Sequence, residues 1–581
     1  MTNTCHIKNS LSQKDSLLNY HKKLLILPSN TIPMKNNITV SILLLIAINT
    51  CIAQKKNKPK LIIGIVVDQM RYDYLHRFSD KYGKKGFKRL MKKGYNLENA
   101  HYNYIPTYTA VGHTSIYTGT TPQNHGIIGN NWYDKYLKKN IYCVDDDRYK
   151  SIGIHGDSGQ KSPYKLYTTT VTDQLRLAQN LRSKSISIAL KDRSAILPGG
   201  HTANAAYWFE GGREGKWITS SFYMDELPSW VNTFNKNGQI KKYVNEIWDT
   251  YYPINTYTES ISDNNPYEGT FKGEKEPTFP HNVPDLKYQN GYFSLIKHIP
   301  AGNSITTDFS IAALKNEKLG QTEGVTDFLA ISYSSTDYVG HKYGVDSKEI
   351  EDTYVRMDLE IARLLTYLDK HVGKKAYTVF LTADHAVAQT PKYLNALKIP
   401  GGYFENTQFN EYIKSLSIKK YNSENIVENI SNYQVFLNNT ELKRLNLNSI
   451  NVANYFANEL IKFDKVYKTI TAHALQTNEF NHGLYSLVQQ GYNQKISGDI
   501  VIIPAPSVIG SYNKKTGTTH GSGYSYDTHV PLIFFGSGIH RGASSKYCPI
   551  IDIAPTLCNL LNIEFPNGVT GKVIDGVLKK H

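Results

Sequence analysis

The chain has 581 residues, of which 40% are hydrophobic and 12% aromatic, with 43 tyrosines; that composition excludes large-scale disorder. Its formal charge of +16 draws anions generally. The basic residues are scattered, with no zinc finger, arginine-rich run or RNP-like stretch, so specific nucleic-acid binding is not expected and a small phosphorylated substrate accounts for the charge equally well.

The first readable element is a leader. Met34-Lys35-Asn36-Asn37, the apolar run Ile38 to Ile48 and the exit Cys51-Ile52-Ala53 have the build of a secretory signal peptide. Residues 1–33 then read as an upstream extension and 34–53 as the signal. Residues 54–581 form the exported chain, bound for the periplasm or the medium. Lipid attachment at Cys51 is the minority alternative, which Asn49 and Thr50 fit poorly. The run is too short for a membrane span, and no later one is long enough. Cys143, Cys548 and Cys558 remain after cleavage; one bridge between Cys548 and Cys558 competes with two buried thiols beside a short helix.

Beyond a basic linker, strand-like runs alternate with helical ones. Leu61 to Val67 is a β-branched run that ends in Asp68. Thr107 to Gly119 places hydroxyls at a helix start, where backbone N–H groups favour a phosphate. Val171 to Arg182 reads as a helix and Ile186 to Leu190 as a strand. Phe328 to Tyr333 leads to Asp337, and Tyr377 to Ala383 runs into Asp384. Between them, Ile350, Tyr354, Met357, Ile361, Leu364 and Leu368 step by four and three through a helix over 348–370, the crossover that a parallel sheet requires. Strands follow at Asp499 to Ile503 and Val530 to Phe535. A last helix has Pro555 in its first turn and Asp552 or nearby polar atoms as its cap. Two long polar insertions, near 210–300 and 392–500, read as caps.

Buried parallel strands that each end at an acid gather ligands at their carboxyl ends. Six metal-favouring residues fall in four segments, three of which follow such runs: Asp68, Asp337 with His341, and Asp384 with His385, with His520 in the fourth. They suffice for two zinc ions side by side, with Asp337, His341 and His520 on one and Asp68, Asp384 and His385 on the other. In Asp337-Tyr338-Val339-Gly340-His341 one helical turn brings acid and imidazole to one ion. A hydroxyl beside the metals supplies a nucleophile, and the residues alone leave Thr107 and Thr109 equal. His113, His125, His529 and Asp527 read as structural, Asp527 as a support for the loop of His520.

Thr109 four residues before His113, followed by Thr118-Gly119, His125-Gly126-Ile127-Ile128 and Asn130, resembles the nucleophile segment of the alkaline phosphatase superfamily. The likeness runs from about 60 to 575 and is closest to the monomeric PafA-type bacterial members. It implies a three-layer α/β sandwich with a mostly parallel sheet and inserted caps. It also implies a monomer, two zinc ions, Thr109 as nucleophile and metal ligand, and Asn130, Lys191 and Arg193 on the phosphoryl oxygens. The expected activity is hydrolysis of phosphate monoesters through a phosphothreonine. A phosphodiesterase or nucleotide pyrophosphatase is the nearest rival, and Lys191 and Arg193 count against it, because they match a dianion. A sulfatase would need a Cys/Ser-x-Pro-x-Arg segment that is absent here, a phosphomutase would use serine, and a silent binding module would not need the nucleophile.

Overall fold

The computed structural model describes residues 58–510 and 516–579; the leader and the extension before it lie outside the described residues. A ten-stranded sheet forms the middle. Its site-bearing part is β1 (Leu61–Val67), β2 (Ser185–Ala189), β3 (Ala205–Glu210), β4 (Asp327–Tyr333), β5 (Tyr377–Thr382) and β6 (Leu532–Gly536), ordered β6-β5-β1-β4-β2-β3. The five strands from β5 to β3 are mutually parallel, and β6 closes antiparallel on β5. Every residue of β1, β4 and β5 is buried, which is why their sequences are continuous apolar runs rather than alternating ones. The architecture is the mixed α/β sandwich expected from the sequence.

Register positions the site. Val67 pairs with Tyr333, Val66 with Thr382 and Ser332 with Ala189. Four strands therefore stop at one edge, and the residues just beyond them converge. Around the sheet lie α1 (Thr109–Thr118), α2 (Asp192–Gly199), α3 (Ser335–Tyr343), α4 (Lys348–Leu368) and α5 (Ile553–Leu561). Helix α4 buries Ile350, Tyr354, Met357, Ile361, Leu364 and Leu368, the stripe read from the sequence.

Four local readings need correction or refinement. The helix from Val171 ends at Ala178 rather than Arg182, because Asn180 and Leu181 take positive φ and turn the chain. Asp552 stands at the cap position of α5 but makes no cap hydrogen bond; its Oδ1 accepts from the Lys572 amide instead, at 2.7 Å. Cys548 and Cys558 are free, buried thiols, so the candidate disulfide is absent. Residues 210–300 do not build a core of their own: Trp217, Val231, Trp248 and Val283 join the principal core. Residues 404–508, by contrast, hold a second core around Phe404, Phe409, Val435, Phe456 and Ile500, beneath a four-stranded sheet.

One buried ion network sets a pH limit on stability. His281 Nδ1 lies 2.7 Å from Glu274 Oε1, and Nε2 lies 3.3 Å from Glu349 Oε1 on α4. Burial pushes the imidazole down, but the two carboxylates outweigh it and raise its pKa to about 9 from 6.5. A group raised on folding stabilises fully below its unfolded pKa and loses that contribution as pH climbs through the folded one. Thermal stability should fall between pH 6.5 and 9 by on the order of 3 kcal/mol from this group. His281→Gln should flatten that part of the melting-temperature profile; an unchanged slope would refute the assignment.

Candidate active site

The six candidate ligands form two clusters, Asp68 with Asp384 and His385, and Asp337 with His341 and His520; within each, one donor atom per residue lies within 4.8 Å of the others. Asp68 directly follows β1, and Asp384 and His385 lie in the loop after β5. Asp337 and His341 are four apart on α3, so their side chains share one face. His341 Nε2 is 3.1 Å and His520 Nε2 3.7 Å from Asp337 Oδ1. His385 Nε2 is 3.6 Å from Asp68 Oδ1 and 3.5 Å from Asp384 Oδ2. The clusters adjoin: the rings of His385 and His520 stack with centroids 3.4 Å apart.

The same device aims all three imidazoles. Nδ1–H of His341 donates to the Thr518 carbonyl (2.8 Å), that of His385 to Ala386 (3.0 Å) and that of His520 to Thr107 (2.7 Å). Each Nε2 lone pair is thereby turned into the cluster, as metal-ligating histidines require. Asp527 holds the His520 loop from outside, its Oδ2 accepting from the Gly521 and Ser522 amides and the Ser522 hydroxyl.

The cluster lacks positive charge of its own. Asp68 Oδ1 and Asp384 Oδ2 are buried with no hydrogen-bond partner among the described residues, a costly state for carboxylates. Burial, reinforced by Asp384, raises the Asp68 pKa well above the usual carboxylate range, and burial lifts that of Asp384 to about 7. For Asp337 burial pushes upward too, but His341 and Lys191 outweigh it and hold the group low. Burial and the neighbouring His341 depress His520 to about 3. The Lys191 ammonium bridges the clusters, 2.7 Å from Asp68 Oδ2 and 2.6 Å from Asp337 Oδ2. Orphaned carboxylate oxygens, tautomer-locked imidazoles and a bridging cation together fit a metal cofactor.

Thr109 is the first residue of α1, almost completely buried, and its Oγ1 lies 3.5 Å from His385 Nε2. Thr107, the alternative left open by composition, turns away and donates to the Ser522 carbonyl at 2.9 Å. Close approach of α1 to the metal loop depends on Gly112, where a Cβ would collide with the Asp384 carbonyl. Asn130 Oδ1 accepts from the Ala110 amide at 2.9 Å, so its two N–H donors remain for another acceptor. His113 supports the same corner: Nδ1 donates to the Thr109 carbonyl at 2.9 Å, and Nε2 meets the Ser332 hydroxyl at the same distance.

Arg193, in the first turn of α2, is not brought onto the clusters by any direct contact among the described residues. Its Nη1 donates to the Tyr142 hydroxyl at 3.0 Å, and that hydroxyl donates to Asp192 Oδ1 at 2.5 Å. Arg193 Nε is buried without a hydrogen-bond partner among the described residues. Lys191 and Arg193 both line a cavity of about 1390 Å³.

Two contributors carry no signal that the sequence reading used. Gln69 joins the clusters, its backbone N–H donating to Asp384 Oδ1 at 3.2 Å and its Nε2 to Asp337 Oδ1 at 2.6 Å. It does so from a left-handed conformation, φ 65°, and Gly340 leaves the room its amide occupies. Tyr142 is the other, at the end of a hairpin strand (Lys139–Tyr142).

A family model described as type I phosphodiesterase / nucleotide pyrophosphatase matches residues 62–525. The chain is 45% identical over 529 residues to a protein of Myroides odoratus named calcium-transporting ATPase, covering 91% of this chain and 96% of the relative. It is 44% identical over 532 residues to the alkaline phosphatase PafA of Elizabethkingia meningoseptica, with 90% and 96% covered. The crystal structure of wild-type alkaline phosphatase PafA matches with a TM-score of 0.86 and 43% identity, over 90% of this chain and 99% of that one. Among the described residues no helix is long and apolar enough to cross a membrane.

Proposed function

The chain belongs to the type I phosphodiesterase / nucleotide pyrophosphatase family, and from that premise we propose a metal-dependent alkaline phosphatase that attacks its substrate with Thr109. It is a phosphoric monoester hydrolase, as its likeness to PafA across nine-tenths of the chain indicates. The observation that carries the site assignment is the Thr109 hydroxyl against His385, beside two adjoining three-donor clusters.

Zinc suits this mixture of carboxylate and imidazole donors, one ion per cluster. When bound, the pair would supply Lewis acidity and charge neutralisation at the reacting centre. The rest of the chemistry falls to the chain. Phosphoryl transfer leaves the protein chiefly positioning and charge complementarity. Thr109 Oγ1 attacks phosphorus and gives up its proton, the bond to the departing alcohol breaks, and that alcohol leaves protonated. Water then cleaves the phosphothreonine, releasing inorganic phosphate and restoring the hydroxyl. The side-chain N–H donors of Asn130, whose Oδ1 already accepts from the Ala110 amide, face phosphoryl oxygens. Arg193 donates two parallel hydrogen bonds to them. Lys191, shared between Asp68 and Asp337, contributes a compact charge. The leader at 34–53 supports export to the periplasm or beyond.

The deciding experiment compares hydrolysis of 4-nitrophenyl phosphate with that of its methyl diester, before and after chelation. The monoester should be favoured by about 100-fold or more, the worth of two charged hydrogen bonds to a dianion. Chelation should abolish both activities and zinc should restore them. A diester preference, or turnover that survives complete metal removal, would reject the proposal. No observation on the described residues carries over the transport named for the Myroides relative.

A further inference from the structure

The parallel strands present their carboxyl ends to the clusters, so their amino ends lie at the opposite pole of the sheet, the seven residues of β1 or about 23 Å away. The chain enters β1 there through Lys60. Its N–H donates to the Ala376 carbonyl at 2.7 Å, and its carbonyl accepts from the Asp327 amide at 3.0 Å. Leu61 pairs with both Asp327 and Tyr377, so β1, β4 and β5 all start level at this pole.

Lysines crowd it. Lys60, Lys370, Lys374 and Lys375 are exposed in the entries to β1 and β5, and Lys92 and Lys93 are exposed at the end of a short helix (Phe87–Lys93). One ion pair joins the two groups: Arg89 Nη2 of that helix lies 2.9 Å from Asp369 Oδ1, which also accepts from the Tyr377 hydroxyl at 2.7 Å. The contact neutralises an acid and fixes the helix to the turn before β5, so the lysines stand on a set frame. Exposed Arg541 adjoins Lys93, since the Gly542 amide donates to the Gly94 carbonyl at 3.0 Å; exposed Lys579 follows, its amide on the Gly538 carbonyl at the same distance. Glu323 and Asp575, exposed nearby, offset two of these charges. The flanking sequence continues the sign, with Lys55 and Lys56 on one side, Lys580 on the other and no acid from Met34 to Lys60.

We propose that this pole is a docking face for an anionic lipid bilayer, on which the enzyme sits with its active site turned away from the headgroups. Each lysine or arginine close to an anionic leaflet strengthens binding about fivefold, so several acting together hold a protein that buries nothing in the hydrocarbon. Two observations favour a bilayer over nucleic acid. The cations come from separate segments that meet along one sheet edge, a broad face rather than a stripe that follows a phosphate backbone. The apolar run Ile38 to Ile48 and Cys51 also reach the protein on this side. The seven steps from Cys51 to Lys58 span at most about 25 Å, so a chain held at a membrane during export meets it with this pole. The lysines act whether or not the leader remains.

The test is sedimentation of the metal-loaded enzyme with vesicles of mixed phosphatidylglycerol and phosphatidylcholine, and with vesicles of phosphatidylcholine alone. Binding to the mixed vesicles should exceed binding to the neutral ones by about 100-fold at low salt, and should vanish near 1 M salt, where charges are screened beyond about 3 Å. The K92E/K93E/K374E/K375E enzyme should lose about 100-fold or more in vesicle binding and keep its kcat/KM for 4-nitrophenyl phosphate, which also reports that it folds. The milder K374Q/K375Q change should cost about 25-fold. Lys419, Lys420, Lys443 and Lys495 are exposed on the second core, and reversing those four instead changes the net charge equally but should cost less than about tenfold. Equal losses in the two quadruple variants would trace binding to net charge alone. Equal binding to neutral and anionic vesicles would trace it to apolar insertion, and tighter capture by a duplex oligonucleotide at equal phosphate would give the face to nucleic acid. Any of these three results overturns the bilayer face.

Discussion

Thr109→Ala should lower kcat/KM for a phosphomonoester by about four orders of magnitude, the scale on which loss of a covalent nucleophile is felt. The metal should stay: each cluster keeps its three side-chain donors without the hydroxyl. Metal content measured on the purified variant therefore separates loss of the nucleophile from collapse of the site. Thr107→Ala is the informative control. Its hydroxyl serves the Ser522 carbonyl, while its own carbonyl, which receives His520 Nδ1–H, survives the substitution, so the loss should be modest. A Thr107→Ala enzyme as dead as Thr109→Ala, or a Thr109→Ala enzyme that still accumulates phosphoprotein, would move the nucleophile elsewhere.

The frame of this site was legible because burial writes itself into sequence. β1, β4 and β5 are covered on both faces, so each is a continuous apolar run, and the polar residue that breaks the run stands at the sheet edge. Asp68 and Asp384 could be found that way, and Asp337 with His341 by adding one helical turn. His520 follows no such run and could be named only as a metal-favouring residue type, since it sits on a loop ordered by long-range contacts such as those of Asp527 and the Thr107 carbonyl. Gln69 and Tyr142 escaped for the same reason. Their partners lie 268 and 50 residues away, and hydrogen bonds over such separations leave no periodicity to read. The polar look of residues 392–500 was misleading in a different sense. Their apolar residues are spread over short elements, yet they close a core around Phe404 and Phe456, and Asn432 Nδ2 from this region donates to the Asn131 carbonyl at 2.6 Å.

Arg193→Ala should separate monoester from diester chemistry. A monoester dianion presents one more anionic nonbridging oxygen than a diester, whose corresponding oxygen is esterified, so a guanidinium directed there is worth more to the monoester. One charge-assisted hydrogen bond contributes about 1.5–3 kcal/mol, and Arg193 can make two, so monoester kcat/KM should fall about 10²-fold or more while the diester value falls about tenfold or less. Removing Lys191 as well should deepen the monoester loss, but less interpretably, because it also strips Asp68 and Asp337 of their shared cation. Tyr142→Phe gives the cleaner companion. It deletes only the hydroxyl that accepts from Arg193 and donates to Asp192, leaving the guanidinium in place but free to swing, so it should produce a smaller loss with the same bias against monoesters. Equal losses on both esters in Arg193→Ala would show that the guanidinium supports the fold around α2 rather than the transferred group.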